Sequence, residues 1–221
     1  MMGNLSYKVD YDKKEARVLD VDVPSAIIEV PAEIDGCSVI AVMQDAFRDK
    51  SGIDKVILPN TIQYIGAHAF MNCSLKTLKV KNNTMGNNTP LNIYSAAFKN
   101  CANLEKVSLK YPTEFRDWSV FENCSNLHDV SSFCIQGNIP RNTFKNCYNL
   151  KLFSVHHSMN IEQEAFHNVK LNCFSDLGVG ILKFDDDFLK VIEKADISCQ
   201  KDTKIANLAY QGYKVFIFDN C

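Results

Sequence analysis

The stretch that decides the fold is Ser95-Ala-Ala-Phe98-Lys-Asn-Cys101-Ala-Asn-Leu104-Glu-Lys-Val107-Ser-Leu109. Its pattern, Ala-Phe-x-x-Cys-x-x-Leu-x-x-Val-x-Leu, recurs along most of the chain. Near-copies begin at Ala69, Val120 and Thr143, weaker copies begin at Ala46 and Ala165, and a degraded copy contains Phe188. The repeated phenylalanines stand at positions 47, 70, 98, 121, 144, 166 and 188, so every step but one is 22 or 23 residues long. A fixed period of this length predicts a solenoid with one coil per repeat.

One repeat, taken in order, indicates how a coil is built. Residues 56–58 form a short strand, Pro59 ends it because proline cannot donate a ladder hydrogen bond, and residues 62–65 form a second extended piece. Gly66 follows at a bend, and the Ala-Phe-x-x-Cys segment makes a helical turn. We therefore predict an α/β repeat solenoid of the leucine-rich-repeat type. It is a right-handed superhelix of about seven coils. A parallel β-sheet covers one side, short helical turns or irregular backbone cover the other, and both ends are capped.

Two longer motifs carry a resemblance to a known family. They are Leu58-Pro59-Asn-Thr-Ile62-Gln-Tyr-Ile65-Gly66-Ala-His-Ala69-Phe70-Met-Asn-Cys73 and Ala97-Phe98-Lys-Asn-Cys101-Ala-Asn-Leu104-Glu-Lys-Val107. With their weaker copies they extend from about Val30 to about Cys199, and they resemble the BspA-type leucine-rich-repeat family of bacterial and protist surface proteins. The resemblance implies the same solenoid fold and a role in recognition at a cell surface.

The two ends of the chain depart from the repeat and predict caps, because a solenoid leaves the core of its end coils open to water. Tyr7, Val9 and Tyr11 alternate with polar residues, which predicts a hairpin. Apolar residues between 205 and 209 are spaced as on a helix, and residues 213–218 read as a strand. We predict an N-terminal capping hairpin over 1–24, a solenoid over 25–199 and a C-terminal helix–strand cap over 200–221.

Composition limits the classes of partner. The formal net charge is -2 and the pI is about 6.2, so no overall positive field favours nucleic acid or an anionic membrane. No apolar run approaches the ~20 residues that a membrane span needs. The N-terminal residues also lack the basic and apolar regions of a secretory signal peptide. We therefore expect a cytoplasmic monomer without nucleic acid or a membrane span, and the family resemblance implies the cell surface as the alternative location.

The nine cysteines follow the repeat. Cys73, Cys101, Cys124 and Cys147 each stand three residues after a repeat phenylalanine, and the chain has no Cys-x-x-Cys pair of the kind that binds zinc. One cysteine per coil predicts a ladder of buried free thiols, which suits a reducing compartment. The alternative is an oxidised pair among the remaining cysteines, which are Cys37, Cys134, Cys173, Cys199 and Cys221.

Residues that could do chemistry are few and scattered. His156-His157 has no third ligand nearby in the sequence, and Asp185-Asp-Asp187 lacks the spacing and the later glutamate of a calcium loop. The chain has no phosphate-binding glycine loop, nucleophile elbow or His-Glu-x-x-His motif. We therefore expect no catalytic residues, no metal and no cofactor, and we do not expect an enzyme.

The candidate binding surface is the outward side of the Leu-x-x-Val-x-Leu strands, because residues that alternate with the inward apolar positions face solvent. The predicted site residues are Lys55, Thr77, Lys79, Lys106, Ser108, Asp129, Ser131, Ser154 and His156. With Lys81 and Lys110, the lysines on adjacent coils predict a local positive stripe. The alternative interpretation is a solvated face that protects the sheet, since lysine is common on exposed strands.

These observations favour a non-enzymatic scaffold that binds a protein or peptide on the strand face. The alternative, from the resemblance, is a cell-surface adhesin or recognition module for host, matrix or glycan ligands. The one long step, between Phe70 and Phe98, contains a polar insertion over residues 81–90. It predicts a surface loop, which is either a tolerated insertion or part of a binding site.

Overall fold

The structure is a computed structural model of the 221-residue chain. It describes residues 5–22, 25–81, 89–109, 112–130, 135–155, 159–176, 182–184, 186–200 and 215–218. The chain winds as a parallel β-solenoid of about seven turns with little helix, which confirms the predicted repeat solenoid.

The regular elements are short, as expected for coils of 22 or 23 residues. In chain order the strands are β1 Leu5–Asp10, β2 Glu15–Val21, β3 Ile27–Glu29, β4 Glu33–Ile34, β5 Cys37–Val42, β6 Lys55–Leu58, β7 Tyr64–Ile65, β8 Thr77–Val80, β9 Leu91–Ile93, β10 Lys106–Ser108, β11 Thr113–Phe115, β12 Ile135–Ile139, β13 Leu152–Val155, β14 Met159–Ile161, β15 Cys173–Asp176, β16 Leu182–Lys183, β17 Asp196–Gln200 and β18 Val215–Phe218. Within the described ranges the helix is α1, Asp186–Ile192.

The strands form three sheets. The Leu-x-x-Val-x-Leu strands make two parallel sheets of four: the front sheet, in the order β10-β8-β6-β3, and the distal sheet, in the order β13-β15-β17-β18. The second extended pieces make a ten-stranded back sheet, in the order β1-β2-β5-β7-β9-β11-β12-β14-β16, with β4 paired to β5. Most coils therefore contribute strands to two sides of the solenoid, whereas the described part of the coil of Asp129 contributes only an isolated bridge on the front side. The sequence analysis predicted a sheet on one side of the solenoid, and the structure corrects this to sheets on two sides.

The predicted helical turns around Ala-Phe-x-x-Cys are tight turns instead. In six coils the residues two before and two after the repeat phenylalanine have positive φ angles. They are Asp45, Asp49, His68, Asn72, Ala96, Asn100, Ser119, Asn123, Asn142, Asn146, Glu164 and Asn168. A left-handed residue cannot continue a right-handed helix, so the segment stays a turn. Asparagine is frequent at the second position because it tolerates this conformation better than most residues.

The asparagines at that second position join neighbouring coils in an asparagine ladder. Each side-chain Nδ2 donates to the side-chain oxygen of the preceding coil. The bonds are Asn72 to Asp49 at 2.6 Å, Asn100 to Asn72 at 2.9 Å, Asn123 to Asn100 at 2.7 Å, Asn146 to Asn123 at 2.6 Å and Asn168 to Asn146 at 2.8 Å. Asp49 suits the first position because that position only accepts.

The repeat phenylalanines stack behind these turns. From Phe47 to Phe166 successive ring centroids are 4.7 to 5.6 Å apart, and all these rings are buried. Offset stacking at this distance adds to the free energy gained by burial. The phenylalanines therefore form one continuous column through the core.

The predicted thiol ladder is confirmed, since Cys73, Cys101, Cys124 and Cys147 are buried and free. The Sγ atoms of the last three each donate to the backbone carbonyl of a repeat phenylalanine, at 2.9, 3.1 and 3.1 Å. Burial raises the pKa of Cys73 to about 11 and raises the pKa values of the other three thiols as well.

The described cysteines outside the thiol ladder form no disulfide with each other. Cys37 is free and buried, and Cys173 is free and half-buried. Cys134 and Cys221 lie outside the described residues, and so does the side chain of Cys199.

Elements at both ends extend the sheets. The predicted N-terminal hairpin is present as antiparallel β1 and β2, and β2 pairs in parallel with β5, so the hairpin continues the back sheet. At the other end β18 pairs in parallel with β17. The helix of the predicted C-terminal cap and residues 82–88 of the insertion lie outside the described residues. The three-part division of the chain stays a prediction.

Ion pairs on the turn side predict a pH dependence of stability. Lys99 Nζ is 2.9 Å from Glu122 Oε2, and the Glu122 side chain is only 13% exposed. Burial acts to raise the pKa of Glu122, but hydrogen bonds from Lys99 and Ser119 outweigh it and hold the pKa below its ordinary 4.5. A lowered pKa in the folded state stabilises the fold above the unfolded pKa, and this stabilisation is lost as the pH falls through the folded pKa.

We therefore expect Glu122→Gln to flatten the loss of stability below about pH 4.5, because the variant has no carboxylate to protonate. Urea unfolding of both proteins at pH 7 and at about pH 3 measures this difference. Identical losses of unfolding free energy in the two proteins would contradict the assignment to Glu122.

Candidate partner-binding surface

The outward residues of the front sheet lie in two straight rows. Strand register places Lys55, Thr77 and Lys106 side by side, and Ile57, Lys79 and Ser108 in the next row. The residues between them, such as Val56, Leu78 and Val107, are buried in the core. We call this surface, together with the neighbouring side chains of Ile27, Glu29, Lys81 and Asp129, the front face. Lys55, Thr77, Lys79, Lys106 and Ser108 thus lie on one side of the sheet, as the alternation predicted, and their role in binding stays a prediction.

Charge on the front face differs from the predicted positive stripe. Lys81 Nζ is 2.5 Å from Glu29 Oε1, and the hydrogen bond from Lys81 lowers the pKa of Glu29. Lys106 pairs with Asp129 on the next coil. Lys110 lies outside the described residues. Carboxylates therefore interrupt the predicted positive stripe. The alternation of inward and outward residues along one strand could not reveal these pairs, because they join residues from different coils.

Two lysines form no such close ion pair, although the charge of Lys55 adds to the lowering of the pKa of Glu29 by Lys81. Among the described residues, neither Lys55 nor Lys79 has a carboxylate within 4.0 Å. Both stand next to apolar side chains, since Ile57 is on the same strand as Lys55 and beside Lys79. Ile27, opposite Lys55 on β3, is 57% exposed. The face thus combines two cationic groups with exposed aliphatic surface.

The remaining predicted site residues are not part of this sheet. Asp129 is not in a strand of the front sheet, but it joins β10 by an isolated bridge to Lys106 and by its side-chain ion pair with Lys106. Ser154 is exposed on β13, beside the exposed Leu152, but β13 belongs to the distal sheet. Ser131 and His156 lie outside the described residues.

The sequence analysis missed an aromatic surface on the back sheet. Tyr64 and Tyr94 are 39% and 37% exposed, and Trp118, beyond the end of β11, is 59% exposed. Their signal was weak because the back strands are only two or three residues long in this part of the chain, too short for an alternation to be recognised.

Over the described parts of the chain no group of three or more His, Cys, Asp or Glu side chains is placed to hold a metal ion. The same residues include no helix that is both long and apolar enough to cross a membrane. The expectation that the chain has no metal or cofactor stays an expectation.

Comparison with known families identifies the chain. The family model described as the BspA type leucine rich repeat region matches residues 40–172 in six copies, which is more than half of the chain. The chain belongs to the BspA-type leucine-rich-repeat family. This confirms the resemblance drawn from the repeat motifs.

Solved structures of similar fold come from bacteria. A leucine rich repeat protein of T. pallidum is 20% identical with a TM-score of 0.67, and the match covers 96% of this chain and 95% of that one. A leucine rich cell surface protein of Faecalibacterium prausnitzii A2-165 is 20% identical with a TM-score of 0.62, covering 92% of this chain and 54% of that one. These likenesses show the shared fold. No curated protein matches the chain.

The cytoplasmic location predicted from the sequence finds no support in these comparisons. One of the two similar structures is described as a cell surface protein. Membership of the BspA-type family is consistent with a protein-interaction or surface-recognition scaffold.

Proposed function

We propose that this chain is a non-enzymatic scaffold that binds a protein or peptide partner across the front face. The observation that carries the proposal is the position of two cationic side chains, Lys55 and Lys79, beside the exposed Ile27 and the half-buried Ile57 on the front face. Such a mixture suits a partner with apolar contacts and acidic groups. Solenoids present their binding surfaces in this way, as rows of side chains on stacked coils.

The arrangement of charges supports a defined docking register. Glu29 with Lys81 and Asp129 with Lys106 form ion pairs on either side of Lys55 and Lys79. A partner that placed carboxylates near Lys55 and Lys79 would be attracted, and a shift along the sheet would bring those carboxylates toward Glu29 or Asp129. Like-charge contact penalises the wrong register and so contributes specificity.

The first experiment places a photo-crosslinking amino acid at Thr77, in the middle of the front face, and at Tyr148, an exposed position outside it. Crosslinking in cells of the native source, followed by mass spectrometry, identifies proteins captured at position 77 and absent at position 148. Equal capture at the two positions would contradict a partner on the front face.

The charge prediction then uses the purified partner. We expect Lys55→Glu combined with Lys79→Glu to weaken binding about tenfold or more, mainly by slowing association, because the attractive charges become repulsive. The matched control is Lys8→Glu combined with Lys194→Glu, two exposed lysines off the front face that give the same change in net charge. Equal affinities for the two double variants, measured by surface plasmon resonance, would refute the proposed site.

A second candidate function is a cell-surface adhesin or recognition module for host, matrix or glycan ligands. The similar Faecalibacterium prausnitzii structure, described as a leucine rich cell surface protein, favours it. Biotinylation of intact cells of the native source with a membrane-impermeant reagent tests it. Labelling of this protein to the extent of a known surface protein supports the module, and labelling only after lysis excludes it.

A further inference from the structure

The back sheet contains a slot at the position of Gly66. The Gly66 N–H donates to the Val42 carbonyl at 2.8 Å, and the Tyr94 N–H donates to the Ile65 carbonyl at 3.0 Å. Met43, Gly66 and Tyr94 therefore stand side by side on three neighbouring coils. A Cβ atom at position 66 would lie 2.6 Å from the backbone nitrogen of Gln44, so only glycine fits there. The backbone of Met43 and Gln44 therefore packs closely against Gly66, and position 66 adds no side chain to the surface beside Tyr94.

Beside Gly66 lies a cavity of about 370 Å³ with a mainly apolar lining that includes Met43, Tyr64 and Tyr94. These three side chains are 37% to 39% exposed, a large fraction for side chains of this kind on a folded surface. We call this cavity the tyrosine slot.

The rim of the tyrosine slot is polar without net charge. Arg17 contributes to the lining, and its Nη2 is 2.5 Å from Glu15 Oε2. Gln44 also lines the slot, and its Nε2 donates to Asp45 at 3.1 Å. A guanidinium beside a carboxylate offers N–H donors next to oxygen acceptors, and an amide offers both on one group. Donors and acceptors side by side match neighbouring hydroxyl groups better than they match an ion.

The sheet itself restricts what can bind. Strands β5, β7 and β9 each have a hydrogen-bonded strand on both sides. A peptide cannot bind here by adding a strand, because no sheet edge is free at the slot. A ligand must be held by side chains alone, through its faces and its polar substituents.

We propose that the tyrosine slot binds a sugar ring of a neutral glycan. The apolar face of the ring stacks on Tyr64 and Tyr94, whose electron-rich faces favour the slightly positive C–H groups, and the ring hydroxyls bond to Arg17 and Gln44. The size and character of the cavity are those of small-molecule sites, with apolar walls and a few convergent polar groups. The slot lies on the back sheet, so this proposal is independent of the partner proposed for the front face.

The test uses the full chain and four neutral hexasaccharides: cellohexaose, maltohexaose, chitohexaose and mannohexaose. We expect at least one of them to give a saturation-transfer NMR signal and a measurable isothermal titration. Tyr94→Ala should weaken that binding about tenfold or more, and Tyr94→Phe should keep it within about threefold, because the ring carries the stacking contact. Tyr148→Ala, which removes an exposed tyrosine away from the slot, is the matched control.

Three results would overturn the proposal. The first is the absence of binding to all four hexasaccharides by the wild-type chain. The second is binding that Tyr94→Ala leaves unchanged while its circular dichroism stays native. The third is a loss of sugar affinity in Tyr148→Ala as large as the loss in Tyr94→Ala.

Discussion

Replacing Phe98 by alanine is expected to lower the free energy of unfolding by about 3–5 kcal/mol. Phe98 is fully buried, and its ring stacks on Phe70 and on Phe121 with centroid distances of 5.0 Å on each side. The substitution removes a large buried side chain and breaks the phenylalanine column at its middle, so neighbouring coils lose contacts in both directions. Urea unfolding followed by circular dichroism measures the loss.

The control for this prediction is Tyr148→Ala. Tyr148 is 52% exposed, so truncating it should change the unfolding free energy by no more than about 0.5 kcal/mol. A loss below about 1 kcal/mol for Phe98→Ala would mean that the column contributes little and would contradict its role in the core.

The second large effect is expected at Asn123. Alanine there removes the donor to Asn100 at 2.7 Å and the acceptor for Asn146 at 2.6 Å, and it must keep a φ of 64°. Two hydrogen bonds of about 1 kcal/mol each and a left-handed residue at about 1 kcal/mol predict a loss of about 2–3 kcal/mol in unfolding free energy.

Glycine at position 123 separates the two causes. Asn123→Gly loses the ladder bonds but adopts a positive φ without strain, so we expect it to be less destabilised than Asn123→Ala by about 1 kcal/mol. Urea unfolding of the three proteins provides the comparison. If the glycine variant were the less stable of the two, the left-handed backbone would not be the reason for asparagine at this position.

The phenylalanine column and the thiol ladder could be predicted because the repeat pattern makes both of them visible in the sequence. A phenylalanine and a cysteine at the same place in each coil must stack when the coils stack, whatever the exact shape of the coil. The asparagine ladder left the same signal, since Asn72, Asn100, Asn123, Asn146 and Asn168 all stand two residues after a repeat phenylalanine. The role of these asparagines became clear only from the positive φ angles in the structure, because such angles prevent a helix and favour asparagine.

The candidate site was harder to predict for two physical reasons. Ion pairs join residues from different coils, as with Glu29 and Lys81, which are 52 residues apart, so one strand's alternation does not reveal its charge. The tyrosine slot depends on Gly66 approaching the backbone of Gln44 on another coil. Sequence reasoning found the bend at Gly66 but had no means of showing the close approach of the Gln44 backbone or the cavity beside Tyr94.

The central claim is that the repeats stack in register into one continuous core. The most direct test is labelling of thiols with iodoacetamide over a range of urea concentrations, with mass spectrometry of each cysteine peptide. The account predicts that Cys73, Cys101, Cys124 and Cys147 stay unlabelled in native buffer, because burial protects them and raises their pKa values, and that all four become reactive at one urea midpoint. Labelling of any of the four in native buffer at the rate of a free thiol, or four separate midpoints, would contradict a single stacked core.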